Sequence, residues 1–333
     1  MKVSVRKISE ETGFSPATVS NALNHKKGVS AETAKAVLEK AREMGYLETP
    51  RISKVKFLMI KRNGVVIEDT PFFTQMLRGI EQECTKMGLD LIVQNLDLRV
   101  DSFRENIEKI QNDQTCAVIL LATEFIDEDM WIIEDMHVPY VVIDFWNERM
   151  TFNAVMATNQ DSARAAVGYL YAKGHREIGY LKGKFRIKPF RARAAGYQQG
   201  LEKAGLTYND SFVINLTANL SGAYEDMKAY LKDEPHLPTA FFADNDVIAL
   251  GAMKAMKEAG FRIPEDVSIV GFDDISYSEI SDPPLTTMRV PKEELGRQAV
   301  RRLEEVIRDS DNVRMKTQIC TQFVKRSSVK DIN

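Results

Sequence analysis

Beyond about residue 56, short apolar runs alternate with longer segments whose apolar residues recur every three to four positions. The short runs predict buried strands, and the longer periodic segments predict amphipathic helices. Such alternation over about 275 residues is typical of doubly wound parallel sheets with helices on both faces, and the length suits two lobes. The predicted strands are Phe57–Ile60, Asp90–Val93, Ala117–Leu121, Tyr140–Ile143, Ile178–Leu181, Ala240–Ala243 and Val267–Phe272; the predicted helices are Phe73–Met87, Phe103–Gln111, Gln160–Lys173, Arg191–Ala204, Asp246–Ala259 and Lys292–Arg308.

Residues 1–47 follow a different pattern, which predicts three short helices. Serine is a preferred N-cap and proline is tolerated at the first helical position, so Ser15 and Pro16 predict the start of the second helix. Ser4 and Ser30 cap the first and third helices in the same way, and Gly45 ends the third. Two helices joined by a tight turn form a helix-turn-helix, whose second helix normally enters the major groove of DNA.

The second predicted helix has one apolar face and one small polar face. Val19, Ala22 and Leu23 share a side and are expected to pack on the other two helices. The opposite side lets the backbone approach DNA closely, and Asn21 there offers a donor and an acceptor to a base edge. A three-helix bundle with a solvated face is an equal interpretation of the pattern alone. The predicted DNA contacts are Ser15, Pro16, Ala17, Thr18, Ser20, Asn21, Asn24 and Ser30.

Charge is distributed unevenly along the chain. Residues 1–62 contain 13 Lys and Arg against 6 Asp and Glu, whereas the remainder contains 32 against 42, and the net charge of the whole chain is −3. A basic N-terminus on an acidic body indicates an anionic partner for the N-terminal segment alone.

Several classes of protein are disfavoured by what the sequence lacks. No apolar run reaches membrane-spanning length and the N-terminus has no signal-peptide core, so we expect a cytoplasmic protein without a membrane partner. The three cysteines and four histidines are scattered, so neither a disulfide framework nor a metal site is expected. Without a phosphate-binding loop or a nucleophile elbow, we expect no catalytic residues, no cofactor and no enzymatic activity.

The N-terminal segment closely resembles the headpiece of the lactose/galactose repressor family of bacterial transcriptional regulators. The resemblance lies in Ser15–Asn24, Gly28–Thr33 and Met44–Tyr46. In that family, the residues matching Pro16, Ala17 and Asn21 read bases. Many members have arginine where this chain has Asn21, which implies a different operator base at that position.

Residues 48–56 form a linker that departs from the family pattern. Family members usually carry a short hinge helix here, which lies in the minor groove of bound DNA and wedges a base step apart with a leucine. This chain lacks that motif, and Pro50 disfavours a helix across the segment. The expected substitutes are phosphate contacts from Arg51, Lys54 and Lys56 and a wedge from Ile52 or Val55.

Residues 57–333 resemble the effector-binding and dimerisation domain of the same family, which is similar to periplasmic sugar-binding proteins. Such a domain has two lobes, three crossovers and a ligand in the cleft. The resemblance implies an N-lobe of residues 57–157 plus 287–317 and a C-lobe of residues 158–286 plus 318–333. Lys61–Asp69 is a longer loop than usual. The matching segments are Thr70–Phe73, Gly174–Gly179, Arg191–Tyr197, Asp244–Gly251, Val267–Asp274 and Pro284–Thr287.

The resemblance also implies which residues hold the effector. Carboxylates and amides share hydroxyl protons, arginine offers a fork of donors, and an aromatic face covers a sugar ring, so a sugar or sugar phosphate is expected. A nucleobase is the alternative. Asp246 could instead be a helix-terminal structural group, and either phenylalanine a core residue. The predicted contacts are Phe72, Phe73, Asp144, Arg193, Asn245, Asp246 and Asp273.

We therefore expect a nucleoid-associated transcriptional regulator, a repressor whose affinity for double-stranded operator DNA is controlled by a small molecule that closes the cleft. One helix-turn-helix covers only a half-site, which predicts a homodimer on a pseudo-palindromic operator. The helices Phe73–Met87 and Lys292–Arg308 are the expected dimer contacts. A solute-binding transport protein would explain residues 56–333 equally well, but the attached headpiece disfavours it.

Overall fold

The computed structural model describes residues 4–23, 29–44, 46, 52–68, 70–149, 151–308 and 313–333. The chain divides into two compact units, Met1–Ser53 and Lys54–Asn333. The first unit contains α1 (Val5–Thr12), α2 (Pro16–Leu23) and α3 (Ala31–Glu43). None of the helices in the described part of the chain is long and apolar enough to cross a bilayer.

The first unit is a three-helix domain closed around a small apolar core. The Ser15 hydroxyl accepts a hydrogen bond from the Thr18 amide at 3.1 Å and thereby caps α2, while Pro16 occupies the first helical position. Gly13 ends α1 with a φ of 71°, a conformation that glycine adopts without strain. The predicted helix-turn-helix is confirmed. Its buried core consists of Ile8, Val19, Ala22, Val37 and Ala41.

The second unit alternates strands and helices along most of its length. In chain order its elements are β1 (Lys54–Lys61), α4 (Phe72–Met87), β2 (Asp90–Asp97), α5 (Phe103–Gln111), β3 (Cys116–Leu121), α6 (Trp131–Glu134), β4 (Tyr140–Ile143), β5 (Ala154–Ala157), α7 (Asn159–Ala172), β6 (Ile178–Gly183), α8 (Lys188–Lys203), β7 (Val213–Leu216), α9 (Leu220–Leu231), β8 (Ala240–Ala243), α10 (Asp246–Glu258), β9 (Ser268–Asp273), α11 (Ser276–Ile280), β10 (Thr286–Arg289), α12 (Lys292–Arg308), β11 (Lys316–Ile319) and β12 (Gln322–Val324).

These strands form two separate sheets, one in each lobe. The N-lobe sheet has the order β11-β5-β4-β3-β1-β2, with every paired strand parallel. The C-lobe sheet has the order β12-β10-β9-β8-β6-β7 and is parallel except for β12. The chain crosses between the lobes after β5, after β10 and after β11. The predicted doubly wound, two-lobed architecture is confirmed.

The linker predicted over residues 48–56 is too long at its C-terminal end. Strand β1 begins at Lys54, and Val55 lies fully buried in register with Leu91 and Ala117, so Val55 cannot serve as a wedge in DNA. Lys56, which was predicted to contact a DNA phosphate, instead forms an ion pair with Asp113 at 2.7 Å. Residues 47–51, which include Pro50 and Arg51, lie outside the described residues. Ile52 and Ser53 belong to no helix.

The predicted lobe boundaries also need correction. Residues 286–289 pair with β9 and β12 in the C-lobe sheet, and residues 316–319 pair with β5 in the N-lobe sheet. The return segment of the N-lobe is therefore 292–319, not 287–317.

Strand β10 is not evident from the sequence, because its threonines are polar although they are buried. Their hydroxyl groups form hydrogen bonds within the protein. Thr287 donates to Asp246 at 2.6 Å, and Thr286 accepts from the Arg326 amide at 3.0 Å.

Helices α4 and α12 pack closely through glycines. A Cβ atom added to Gly79 would overlap the backbone carbonyl of Glu293, and one added to Gly296 would overlap that of Met76. Gly168 in α7 is exposed, and a Cβ there would meet nothing within 4 Å. The two helices thus approach closely only because these positions lack side chains.

We predict that Gly79→Ala destabilises the protein by about 1–3 kcal/mol, since the packed helices must move apart. Gly168→Ala is the matched control and should stabilise the protein by up to about 1 kcal/mol, because alanine is the better helix former. Urea denaturation of both variants measures the difference. If the two variants have equal free energies of unfolding, the contact between α4 and α12 does not require glycine.

Candidate functional site

The predicted DNA-contacting residues lie around the start of α2 and the start of α3. Pro16 and Ala17 are exposed in the first turn of α2, and Ser20 and Asn21 are half-buried one turn later. The exposed Ser30 accepts from the Thr33 amide at 3.1 Å, so Ser30 caps α3 as Ser15 caps α2. Asn24 lies outside the described residues.

A cavity between the lobes brings together six of the seven predicted effector residues. It measures about 20 Å³, which is room for about one water molecule. Asp144, Asn245 and Asp273 reach it from the carboxyl ends of β4, β8 and β9, which is where open parallel sheets bind ligands. The cavity is lined by Val66, Thr70, Phe72, Phe73, Thr123, Asp144, Ile187, Pro189, Phe190, Arg193, Asn245 and Asp273.

The Arg193 guanidinium is a fixed cation on the C-lobe side of this cavity. Its Nε donates to Asn159 Oδ1 at 2.9 Å, its Nη1 to the Asp244 carbonyl at 2.5 Å and its Nη2 to Asp273 Oδ1 at 3.3 Å. It also lies 3.7 Å from the centre of the Phe272 ring, a cation–π arrangement. Three acceptors and a ring therefore fix the position of the guanidinium.

Asp144 and Asp273 face the cavity from opposite lobes in unusual backbone conformations. Their φ angles are 65° and 111°, in the left-handed region that disfavours residues other than glycine. Such strain costs about 1–3 kcal/mol and tends to occur at functional sites. Burial raises the pKa of Asp144 to about 6, although Arg193 opposes the shift, and burial also raises the pKa of Asp273.

Asp246 does not line the cavity, although it was predicted to contact the effector. Its Oδ2 accepts from the Ile275 amide at 3.0 Å and the Ser278 hydroxyl at 2.7 Å, and its Oδ1 accepts from Thr287 at 2.6 Å. Burial, together with the charge of Asp273, raises its pKa to about 7. The carboxylate therefore joins the start of α10 to β10 and to α11 with the residue before it.

Lys292 is a buried cation next to the cavity, at a position that the sequence pattern does not mark as functional. Its Nζ donates to the carbonyls of Asp273 and Asp274 at 2.5 and 2.9 Å and lies 5.5 Å from the centre of the Phe72 ring. Burial lowers its pKa. The residue begins α12 of the N-lobe, so it joins that helix directly to the end of a C-lobe strand.

Six further residues of the cavity wall were missed: Val66, Thr70, Thr123, Ile187, Pro189 and Phe190. Thr123 follows β3 as Asp144 follows β4, so its position after a buried strand was a usable signal. The Thr123 hydroxyl lies 3.3 Å from Asp144 Oδ2. The apolar residues carry no such signal, because their sequence pattern is that of ordinary core residues.

We predict opposite effects from two substitutions of buried carboxylates. Asp246→Ala should destabilise the protein by about 3 kcal/mol or more, because it leaves three buried donors unsatisfied. Asp144→Asn should leave stability at pH 8 unchanged or raise it, since the raised pKa means that the ionised form is disfavoured in the folded state.

The same pKa shift gives a pH signature. Below about pH 4 Asp144 is protonated in both the folded and the unfolded protein, and its contribution to the free energy of unfolding is complete. As the pH rises from there to about 6, the unfolded chain releases the proton more readily than the folded protein does, and this contribution is lost. Urea denaturation from pH 4 to pH 8 should therefore show a smaller fall in stability for Asp144→Asn than for the wild type. Identical slopes would contradict the assigned environment of Asp144.

Comparisons with known proteins agree with both units. Residues 4–48 match the family model of bacterial regulatory proteins, lacI family, and residues 167–329 match that of the periplasmic binding protein-like domain. The HTH-type transcriptional repressor PurR of Haemophilus influenzae (strain PittEE) is 30% identical over 98% of this chain and 99% of its own.

Solved structures show the same architecture over nearly the whole chain. The transcriptional regulator CelR in complex with cellobiose is 25% identical, with a TM-score of 0.75 over 98% of this chain and 99% of that one. The lac repressor dimer bound to operator and the anti-inducer ONPF is 23% identical, with a TM-score of 0.73 over 99% of this chain and 100% of that one.

The headpiece, the two-lobed body and these matches lead to one conclusion. The chain belongs to the lacI family of bacterial regulatory proteins: it is not an enzyme but a DNA-binding transcriptional repressor, of a family that acts as dimers on operator DNA and binds a small-molecule effector.

Proposed function

We propose that the effector of this repressor is a neutral, hydroxyl-rich molecule of the sugar class, bound in the cavity between the lobes. The observation that carries the proposal is the convergence of Asp144 and Asp273 on one cavity from opposite lobes. Two carboxylates accept hydrogen bonds from hydroxyls on both sides of a ring. Asp144 retains most of its capacity to accept, since Thr123 is its one protein partner among the hydrogen bonds of the described residues.

The surroundings of the two carboxylates favour a neutral sugar over a sugar phosphate. Arg193 is already bonded to Asp273, so it leaves no unpaired positive charge for a phosphate, and Asp144 would repel one. Phe72 and Phe73, whose ring centres are 5.1 Å apart, together with Phe190 offer aromatic surface to the apolar side of a sugar ring. The cellobiose complex of CelR supports a carbohydrate effector.

A purine base is the second candidate. The relative that is 30% identical over nearly the whole chain is named PurR, which points to a purine-responsive regulator. The N–H groups of a purine would donate to the same carboxylates, and the phenylalanine rings would lie against its flat faces. The two candidates therefore differ in the ligand and share the residues that bind it.

A thermal-shift screen decides between the candidates, because a ligand that binds only the folded state raises its melting temperature. We expect ribose or cellobiose to raise the melting temperature, and glucose 6-phosphate, hypoxanthine and guanine to leave it unchanged. Asp273→Asn should abolish the shift, whereas Asp101→Asn, at an exposed position of the same domain, should retain it. A shift with hypoxanthine or guanine alone would establish the purine candidate and refute the sugar.

Effector affinity should also depend on pH. Asp144 accepts hydrogen bonds from hydroxyls through both oxygens only as a carboxylate, so affinity should fall as the pH drops below about 6, by up to about tenfold per pH unit. Asp144→Asn should bind more weakly at pH 8 and show a flatter pH profile. Calorimetric titration with the sugar found in the screen measures both, and a wild-type affinity that is constant from pH 5 to pH 8 would exclude Asp144 as a contact.

For the headpiece, we propose that Pro16, Ala17 and Asn21 read bases, that Ser15, Thr18, Asn24 and Ser30 contact phosphates, and that Ser20 lies on the side of α2 that approaches DNA. Pro16 and Ala17 are exposed at the start of α2, which supports an approach of that end to the major groove.

We also propose that two chains pair through α4 and α12 of their N-lobes, so that two headpieces meet two half-sites.

Asn21→Ala should weaken binding to the preferred sequence by about 1–3 kcal/mol and leave nonspecific binding unchanged. The preferred sequence is obtained by selecting binders from random DNA, and fluorescence anisotropy at fixed salt measures both affinities. Glu39→Ala, at an exposed position on α3, is the control and should not lose specificity. An equal loss on specific and random DNA would refute the base-reading role of Asn21.

A further inference from the structure

The longer loop that follows β1 has a defined structure built on one carboxylate. We call residues 62–68 the strap. Glu124, which is fully buried, accepts hydrogen bonds from five strap amides. Its Oε2 accepts from residues 62, 63 and 64 at 2.9, 3.0 and 2.8 Å, and its Oε1 accepts from residues 66 and 67 at 2.9 and 3.3 Å. Successive amides directed at one anion form a compact and strong arrangement.

Further contacts hold the strap to the N-lobe. Arg62 pairs with the buried Asp129 at 2.6 Å, and Glu68 pairs with Lys61 at 2.9 Å. Gly64 has a φ of 78°, and a Cβ atom on it would lie 2.7 Å from the Glu68 carboxyl carbon. The strap is therefore a folded unit of the N-lobe with a backbone that requires glycine at its turn.

The apolar tip of the strap, however, packs on the other lobe. Val66 is 7% exposed and belongs to the same buried apolar cluster as Leu181, Ile187 and Phe190 of the C-lobe, and Val65 packs against that cluster. An ion pair between Lys188 of α8 and Asp127 of the N-lobe, at 2.7 Å, crosses between the lobes as well. The strap thus spans the cleft from an N-lobe anchor to a C-lobe apolar surface.

Val66 is also part of the cavity wall, beside Phe190, Arg193 and Asp144. With the strap in place, the cavity holds about one water molecule, which is far too little for a sugar or a purine. A ligand can therefore occupy the site only if the cavity is enlarged. Withdrawal of Val66 from Phe190 would widen it on the side formed by the strap.

We propose that the strap fastens the two lobes together across the cleft and controls which effectors reach it, with Val66 as the residue that limits effector size and rate of binding. Glu124 is the positioning residue that keeps the strap folded. The inference rests on the proposed function for the identity of the ligand, but not for the fastening of the lobes.

Hydrogen exchange of the ligand-free protein tests the fastening directly. Val66→Ser removes apolar surface from the contact, so exchange at the start of α8, residues 188–193, should accelerate on the order of tenfold. Val100→Ser is the control, because Val100 is 53% exposed on the same lobe, and it should change nothing there. Unchanged exchange at residues 188–193 in the Val66→Ser protein would overturn the proposal.

A second variant tests the role of Glu124 without altering the apolar tip. Glu124→Gln directs an amide group at backbone donors, so exchange of amides 62–67 should accelerate, and exchange at residues 188–193 should accelerate with it. Glu128→Gln, an exposed position in the same segment, is the control. Faster exchange confined to residues 62–67 would mean that the strap folds on Glu124 but does not fasten the lobes.

Ligand kinetics test the control of access. Stopped-flow measurements with cellobiose and ribose should show association with Val66→Ala about tenfold faster than with the wild type, because less has to move before the ligand enters, and cellobiose, the larger sugar, should gain more. Equal rates would overturn the size-limiting role of Val66. If neither sugar binds any variant, the proposed function fails, while the exchange experiments still decide whether the strap fastens the lobes.

Discussion

Burial of carboxylates at the carboxyl ends of the strands is the constraint around which this body is arranged. An unpaired buried carboxylate is costly, so each one needs donors or a neighbouring cation. Glu124 receives five backbone amides, Asp246 receives an amide and two hydroxyls, and Asp244 receives a tyrosine, an arginine and an amide. Asp273 receives Arg193. Among the hydrogen bonds of the described residues, the Asp144 side chain has one long partner, Thr123, which is why the proposed effector contact is assigned to it.

This difference divides the carboxylates into groups that build the site and groups that face it. The satisfied ones fix loops: Glu124 folds the strap, Asp244 and its arginine hold the turn before α8, and Asp246 joins α10 to β10. The two that line the cavity have strained backbones, and Lys292 secures the strained turn after β9 by bonding two of its carbonyls. Because Lys292 belongs to an N-lobe helix, it connects the turn at Asp273 directly to α12.

Helices whose apolar residues recur at a clear helical spacing could be predicted well from the sequence. Elements whose buried polar residues form hydrogen bonds within the protein could not. The bounds of α5 and α12 were predicted without error, since both have a clear helical repeat. Strand β10 was missed because its buried threonines resemble a loop until their hydrogen bonds are known. Six of the predicted effector residues meet at the cavity, while Asp246 does not, since the direction of a side chain at a helix start depends on tertiary contacts. The strap was recognised only as extra length, because its order depends on a carboxylate about sixty residues away.

The strap changes what an effector must do to this protein. A ligand shifts a conformational equilibrium only through its differential affinity for the two states. If an effector bound best with the lobes together, its binding would favour closure, as expected from the sequence. In this structure the lobes are in contact through Val66 and through the pair Lys188–Asp127. Under the proposed fastening, an effector that needs the space next to Val66 must displace the strap from the C-lobe, and its binding free energy is reduced by the cost of breaking that contact. The signal that would then pass to α12 is the release of the strap.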